Sequence, residues 1–511
     1  MTRATLWTAK TLAVCAWATL AVVLIFVRGR ELDLDRGVTS RLRYHAIPVA
    51  MSVLYHGHPH DYTASRFIAI PFQHTDMTLT ERIAWAVSAE PPQDDDTYYW
   101  LADDRGMADY VLLSFRLFGP TIKSLYSFYF VVFSASVALF LIGYRHSPAM
   151  IGLLLVTLAA IYTVLPVIPL ASISSEAFIG EPPSLFEPRI LDLLAMVATI
   201  HLAFAGWTSE RPRGWWFAFV GQFLLFVFCY HARSSLAWEG VFIAMANSAA
   251  IAWAVWRPPV SHFARVRVAA MPLLCVVAGF VALTAYKRIT YNPRYFRDSG
   301  QRTVWHNALM GFGSNPTLSS VYKLGIRDAA VVDAVLQYLH DHNDPRLGSG
   351  WDTTKILNSL GGHGEFNWYA YETAARDLYF QVWRDRPRDA LRCYVVNKPR
   401  EVLSVVRTAL TWEHTPQRDS QDLYFRPFDL TALVIALPGV LMLAGRQPLR
   451  FLPSIAALAF CSALPAFLFY AVPLTMMGTF VAGSMLVYVA AAAMTARVTG
   501  RPSDEALAQT S

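Results

Sequence analysis

Charged residues are scarce in this chain of 511 residues: only 16% are Asp, Glu, Lys or Arg, whereas 55% are hydrophobic. A soluble domain usually carries about a quarter charged residues. Here the charge is missing from a series of long windows, as the membrane-spanning helices of a polytopic protein require. The composition therefore argues against an ordinary soluble enzyme or binding domain.

Cysteine is equally scarce, and the common nucleotide and hydrolase motifs are missing. Of the five cysteines, Cys393 alone falls in a large polar segment, so the sequence predicts neither a disulfide there nor a cysteine-ligated zinc site. The chain contains no HExxH, GxSxG or Walker motif. ATP-driven transport and the common hydrolase reactions therefore have no support in the sequence.

Ten apolar stretches are long enough to cross about 30 Å of hydrocarbon. We expect the first to be a retained anchor, because its long apolar run is followed by RGRE at 28–31 rather than by a small-residue cleavage site. The fold class predicted is an all-α polytopic membrane protein. The ten stretches are roughly 5–27, 125–143, 149–169, 189–207, 214–231, 236–256, 267–286, 427–445, 451–471 and 473–495.

The short connections between these stretches alternate in charge. Arginine occurs in 144–148, 208–213, 257–266, 446–450 and the tail, whereas 170–188 has no Lys or Arg and three Glu. Basic residues in short loops favour the cytoplasmic side. We therefore expect a multi-pass protein of a bacterial inner membrane with both termini in the cytoplasm. The same bias explains the net charge of +6, so nucleic acid is not a predicted partner.

This orientation divides the chain into six parts. Both large outer segments contain helix-like stretches, for example 79–87, 328–339 and 369–383, and we expect them to fold against the membrane surface. The parts are the first span (1–27), a first extracytoplasmic segment (28–124), spans two to seven (125–286), a second large extracytoplasmic segment (287–426), the last three spans (427–496) and a cytoplasmic tail (497–511).

An acidic run stands in the first outer segment. Asp94, Asp95 and Asp96 are followed by the aromatic residues of 98–100, which suit the water–lipid boundary. One interpretation is structural, since carboxylates cap helix N-termini. Three adjacent carboxylates also repel one another, which favours a proton or a cation among them. The alternative is therefore a general base or a site for a divalent cation.

Residues 95–145 resemble the start of the GT-C glycosyltransferases, which are polytopic membrane enzymes. In that superfamily a paired acidic motif with aromatic residues lies in the first external loop, and an apolar helix ending in Phe-Gly precedes the second span. Here DDTYYW at 95–100 and VLLSFRLFG at 111–119 stand in these places. The resemblance implies a GT-C-like fold and transfer of a sugar from a polyprenyl-phosphate donor to a lipid, glycan or protein acceptor.

The reaction that this resemblance implies needs two kinds of groups. A carboxylate must take the proton of the acceptor hydroxyl, and Asp95 is the first choice, with Asp96 next and Asp94 beside the substrate. Cations must face the anionic phosphate of the leaving group. No metal ligands are predicted and no cofactor is certain, although the acidic run would permit a divalent cation.

Candidate groups for substrate binding stand at the outer ends of spans. They are Arg189, His231, Arg233 and Glu239. Ionisable residues this close to hydrocarbon are costly and therefore candidates for function. The structural alternative is that Arg189 extends to the interface or pairs with Asp192, and that Arg233 pairs with Glu239.

The second outer segment adds Trp305 and His306, which are suited to stacking on a sugar or holding a phosphate. Equally, Trp305 and Phe312 would serve as the core of a small domain. Two other functional classes stay open: a carrier or flippase for a lipid or polysaccharide, and a non-catalytic membrane assembly protein. Carriers commonly bind their substrate at the bilayer midplane, whereas the ionisable groups here collect at one end of the spans.

Overall fold

The chain folds into a helical bundle, seen in a computed structural model. The described residues are 3–39, 42–57, 62–64, 67, 69–70, 73–89, 96–98, 106–169, 184–207, 211–256, 262–291, 304–348, 350–360, 367–411, 429–445 and 448–499. Besides helices, these ranges contain one antiparallel pair of three-residue strands, β1 (Tyr62–Ala64) and β2 (Asp96–Tyr98).

The described ranges contain twenty α-helices. In chain order they are α1 (Arg3–Glu31), α2 (Ile47–His56), α3 (Leu79–Ser88), α4 (Gly106–Phe118), α5 (Ile122–Tyr144), α6 (Pro148–Val164), α7 (Asp192–Phe204), α8 (Trp215–Ala232), α9 (Ala237–Trp256), α10 (His262–Thr290), α11 (Val304–Phe312), α12 (Pro316–Tyr322), α13 (Asp328–Asp341), α14 (Thr353–Leu360), α15 (Trp368–Asp385), α16 (Pro387–Arg392), α17 (Lys398–Thr411), α18 (Leu430–Ala444), α19 (Leu452–Leu468) and α20 (Met477–Val498).

Within the described ranges, nine helical segments are long and apolar enough to cross a membrane: those containing α1, α5 to α10, α19 and α20. A polytopic membrane protein is therefore confirmed. The tenth predicted stretch, 427–445, contains the shorter helix α18 of 15 residues, whose length is about 23 Å. This is less than the roughly 30 Å of a full span.

A pair of glycines brings α18 against α6, the most deeply buried span. A Cβ atom at Gly439 would lie 2.8 Å from the carbonyl oxygen of Gly152 and 3.0 Å from Leu155 Cβ. An added side chain at this position would therefore force backbone atoms of α6 to shift. Close approach through small residues is a common way to pack helices in a membrane, where hydrophobic burial alone does not drive association.

The helices alternate in direction, so that one end of the bundle collects the large connecting segments. We call this end the loop face: α1, α6, α8, α10 and α19 end there, and α5, α7, α9, α18 and α20 begin there. Hydrogen bonds across it join Tyr126 Oη to the Phe26 carbonyl (2.7 Å), Tyr162 Oη to Asp429 (3.4 Å), Tyr291 Oη to His231 (3.3 Å) and Ser462 Oγ to Glu239 (3.1 Å). The described residues that directly follow α1, α6 and α10 therefore lie at one face. Its outward orientation stays a prediction.

The opposite end carries the arginines that predict the orientation. The Arg211 guanidinium lies 4.4 Å from the ring centre of Trp215, and the Arg450 guanidinium lies 4.8 Å from that of Phe451. A cation over an aromatic face is attracted by the electron density of the ring. These contacts hold both arginine side chains against aromatic rings at this end of the bundle.

The described residues between 304 and 398 form a separate unit on the loop face, which we call the loop-face domain; the rest of α17 instead packs on the bundle core through Val402. The domain's own hydrophobic core is distinct from that of the bundle. The predicted helix at 369–383 is α15, which buries Tyr371, Ala374, Leu378 and Val382 at helical spacing. A helical stripe of this kind buries one face of α15 in the core of the domain.

Two contacts fix the loop-face domain to the end of α19. Lys398 is fully buried, its Nζ donates to the Leu468 carbonyl at 2.8 Å, and the amine lies 4.0 Å from the ring centre of Tyr394. Burial lowers the pKa of Lys398 to about 8. Beside it, a Cβ atom at Gly311 would lie 2.2 Å from the Phe469 carbonyl oxygen, so this close approach requires glycine.

We expect Gly439→Ala to lower the melting temperature of the purified protein in detergent, because the new methyl group meets the Gly152 backbone. The matched control is Gly483→Ala in α20, where an added Cβ meets nothing within 4 Å. Replacing glycine by alanine within a helix is otherwise favourable by up to about 1 kcal/mol. Equal melting temperatures for the two variants would contradict the close contact.

Lys398 makes stability depend on pH in a defined direction. The folded amine loses its proton near pH 8, whereas an unfolded lysine keeps it until about pH 10.4. The unfolded state binds more protons in this window, so the lysine's contribution to stability rises with pH there. Between pH 7 and 9.5 we expect the melting temperature of the wild type to rise relative to Lys398→Met, and not relative to the exposed control Lys355→Met. If the difference in melting temperature between the wild type and Lys398→Met did not change with pH, the lowered pKa of Lys398 would be refuted.

Candidate functional site

A cavity of about 420 Å³ lies at the loop face. Its described lining comes from the start of α7, the turn between α8 and α9, the first residues of α9 and α11, the end of α19 and the turn before α20. The volume is within the range of small-molecule pockets. The described lining thus brings together four membrane helices (α7, α8, α9 and α19), the turn before α20 and the loop-face domain.

Two arginines belong to the described lining of this cavity. Arg189 lies in the short 3-10 turn Pro188–Ile190 that leads into α7, and Arg233 is the first residue after α8. Both side chains are half-buried. Arg233 has extended backbone with φ −142°, so the chain leaves the helix at that residue. The structure therefore brings together two predicted arginines that are 44 positions apart in the sequence.

Two carboxylates face the same cavity. Asp192 begins α7, and Glu239 lies in the first turn of α9, where the positive end of the helix dipole favours an anion. Only 7% of Asp192 and 2% of Glu239 is exposed. Ser462 Oγ donates to Glu239 Oε1 at 3.1 Å. A Cβ atom at Gly478 would lie 3.0 Å from that oxygen, so the glycine leaves the room that the carboxylate needs.

Charges of both signs act on one another inside this space. Arg233 attracts the carboxylate of Glu239, and Asp192 repels it. Burying such groups without compensation is expensive, and in a membrane it is more so. Asp192, Arg233 and Glu239 are therefore coupled, and a change in either of the first two alters the field at Glu239.

The remaining lining suits a sugar or a phosphate. Tyr230, Trp238 and Tyr470 contribute aromatic rings, and Asn307 contributes an amide from α11. Guanidinium groups bind phosphate with charge-assisted hydrogen bonds, and aromatic rings with a few polar groups are typical of ligand pockets. The arrangement is able to hold a phosphorylated ligand at the loop face.

His231, predicted to bind substrate, lies outside the described lining of the cavity and belongs to a buried polar cluster. Its Nε2 is 2.6 Å from Asp109 Oδ2, and Tyr291 Oη is 3.3 Å from the same nitrogen. Tyr286 Oη donates to Asp109 Oδ2 at 3.4 Å. The cluster joins α4, α8 and the end of α10.

Trp305 and His306 also lie outside the described lining, although their neighbours Val304 and Asn307 contribute to it. The carboxylate of Glu372 accepts the backbone N–H groups of Trp305 (2.9 Å) and His306 (3.2 Å). The His306 ring is buried, with Nδ1 2.7 Å from Tyr371 Oη and Nε2 3.1 Å from Asp328 Oδ1. These contacts match the alternative interpretation, in which this stretch builds a small domain.

The acidic run is described only in part. Asp94 and Asp95 lie outside the described residues, so their predicted roles stay predictions. Asp96 is described as the first residue of β2, where it pairs with Ala64 of β1. It therefore lies in a strand rather than at a helix N-terminus, and the next helix, α4, begins at Gly106.

Other residues of the site had weak or no sequence signals. Asp109 interrupts an apolar helix, which is a usable signal, whereas nothing local marks Ser462 or Gly478. The buried His201 ring packs against Tyr144, with the ring centres 4.7 Å apart, and its ring nitrogens meet no hydrogen-bond partner within the described ranges. The described residues contain no group of three His, Cys, Asp or Glu side chains able to hold a metal ion.

No protein-family model, no curated protein and no solved structure matches the chain.

Proposed function

We propose that the protein is an integral-membrane glycosyltransferase. It moves a sugar from a polyprenyl-phosphate donor to a lipid, glycan or protein acceptor on the outer face of a bacterial inner membrane. The observation that carries this proposal is the meeting of Arg189 and Arg233 in one cavity at the loop face. The resemblance of residues 95–145 to GT-C enzymes also supports the proposal, because it assigns the acidic motif a place in the reaction.

The arginines are suited to the donor phosphate. As the glycosidic bond breaks, negative charge grows on the leaving phosphate, and positioned cations stabilise that charge best where water is excluded. The prenyl chain needs an apolar surface next to this point. Exposed side chains such as Met245 and Phe460 flank the packing of α9 against α19, and both helices reach the cavity.

The chemical step is a substitution at the anomeric carbon of the sugar. The acceptor oxygen forms a bond to that carbon while the bond to the phosphate oxygen breaks, and the phosphate leaves with the electron pair. A carboxylate takes the acceptor proton. We assign this role to Asp95, with Asp96 as the second choice and Asp94 beside the substrate.

The position of the charged groups favours this enzyme over a carrier. Transporters commonly bind at the midplane, on broken helices. Here Arg189, Asp192, Arg233 and Glu239 lie where helices begin or end. A reaction between a lipid-linked donor and an acceptor outside the bilayer takes place at that level.

Replacing both arginines tests the donor site. We expect Arg189→Gln combined with Arg233→Gln to weaken binding of polyprenyl phosphate by about tenfold or more, because charge-assisted contacts to the phosphate are lost. Binding is measured on the full chain in detergent by titration with polyprenyl phosphate. The control pair is Arg384→Gln with Arg388→Gln, on exposed arginines of the loop-face domain. Equal affinity of the double variant and the wild type would rule out this site.

Replacing Asp95 tests the base. Asp95→Asn keeps the shape of the side chain but removes the proton acceptor, so we expect glycosyl transfer to fall by about 10²–10⁴. Incorporation of labelled sugar into the cell envelope, compared with a deletion strain, measures the product. Melting temperature and expression should stay near the wild type, as they should for the exposed control Asp76→Asn. A full amount of product from Asp95→Asn would remove Asp95 from the mechanism.

A further inference from the structure

A buried polar cluster lies beside the cavity without lining it. The Asp109 carboxylate from α4 meets His231 Nε2 from α8 at 2.6 Å, and only 10% and 6% of these side chains are exposed. Tyr286 and Tyr291, at the end of α10, contribute hydroxyls at 3.4 Å to Asp109 and 3.3 Å to His231. A buried pair of this kind is costly to form, and breaking it by removing one partner costs more.

The backbone contact beneath this pair is close. A Cβ atom at Gly106, the first residue of α4, would lie 2.1 Å from the His231 carbonyl oxygen. One turn later Tyr110 is fully buried, and its hydroxyl donates to the Leu125 carbonyl at 2.8 Å. The Gly106 contact and the Asp109–His231 hydrogen bond therefore fix the start of α4 against the end of α8, and the Tyr110 hydrogen bond fixes α4 against α5.

This contact point lies immediately before Arg233. The Arg233 N–H donates to the Cys229 carbonyl at 2.8 Å, and the chain then turns away through Ser234–Leu236 into α9. The direction in which a long arginine side chain points from such a turn depends on the residues around the turn. Packing and hydrogen bonds of these supporting residues hold a binding group in place. His231 lies two residues before Arg233, in the last turn of α8, and Asp109 holds its ring in place.

We propose that Asp109 and His231 are positioning residues that set Arg233 against the donor phosphate. This inference rests on the proposed function, because it takes Arg233 as a ligand of that phosphate. Asp109 holds the His231 ring, the ring fixes the last turn of α8, and the turn directs Arg233 into the cavity. The pair itself touches neither donor nor acceptor.

A double-mutant cycle read by binding of polyprenyl phosphate tests this arrangement. We expect Asp109→Ala to weaken binding by about fivefold to tenfold, and Asp109→Asn, which keeps an acceptor for His231, to stay within about twofold of the wild type. In an Arg233→Gln background Asp109→Ala should have no further effect. In an Arg189→Gln background its full effect should persist, since Arg189 is held by a different element.

Melting temperatures separate positioning from loss of folding. If Asp109→Ala does not give folded protein, His231→Gln replaces it in the same cycle, and Asp76→Ala is the exposed control. A loss of affinity of equal size in the Arg233→Gln background, or no loss in the wild type, would overturn the positioning role. Failure of the wild type to bind polyprenyl phosphate would instead refute the proposed function. Binding that depends on Arg233 but not on Asp109 would refute this inference alone.

Discussion

The burial of ionisable side chains at the end of a membrane bundle is the constraint on which the site depends. Arg189, Asp192, Arg233 and Glu239 stand at helix ends, where backbone groups and headgroup water reduce the cost of charge. Deeper in the bilayer the same side chains would be far more expensive. Because consecutive helices alternate in direction, residues distant in the sequence meet at this one level.

Glycine at points of helix contact makes the arrangement possible. Gly478 leaves room for the carboxylate of Glu239, Gly106 lets α4 reach the end of α8, and Gly311 lets the loop-face domain reach the end of α19. In each case a side chain would meet a carbonyl or carboxylate oxygen at 3.0 Å or less. The polar contacts therefore depend on the close packing that glycine permits, and together they fix the cavity and the position of the loop-face domain.

Much of the bundle followed from composition and periodicity, because hydrocarbon accepts only helices with satisfied backbones. Within the described ranges, the nine candidate spans fall on predicted stretches, and the predicted helices of the two large polar segments appear as α3, α13 and α15. The exception is 427–445, where hydropathy alone did not show that the described helix has only 15 residues. Residues near helix ends, such as Arg189 and Glu239, were predictable because their charge contrasts with apolar neighbours.

The amino-acid sequence by itself determined the helices, their approximate ends and the charges that stand there, since these depend on local hydropathy and length. Tertiary structure decided which charges share a space. It placed Arg189, Arg233 and Glu239 around one cavity, and it placed His231, Trp305 and His306 in neighbouring cores. The physical reason is that rotation of a helix about its axis, set by contacts such as Gly106 on His231, decides where each side chain points. No local pattern in the sequence encodes that rotation.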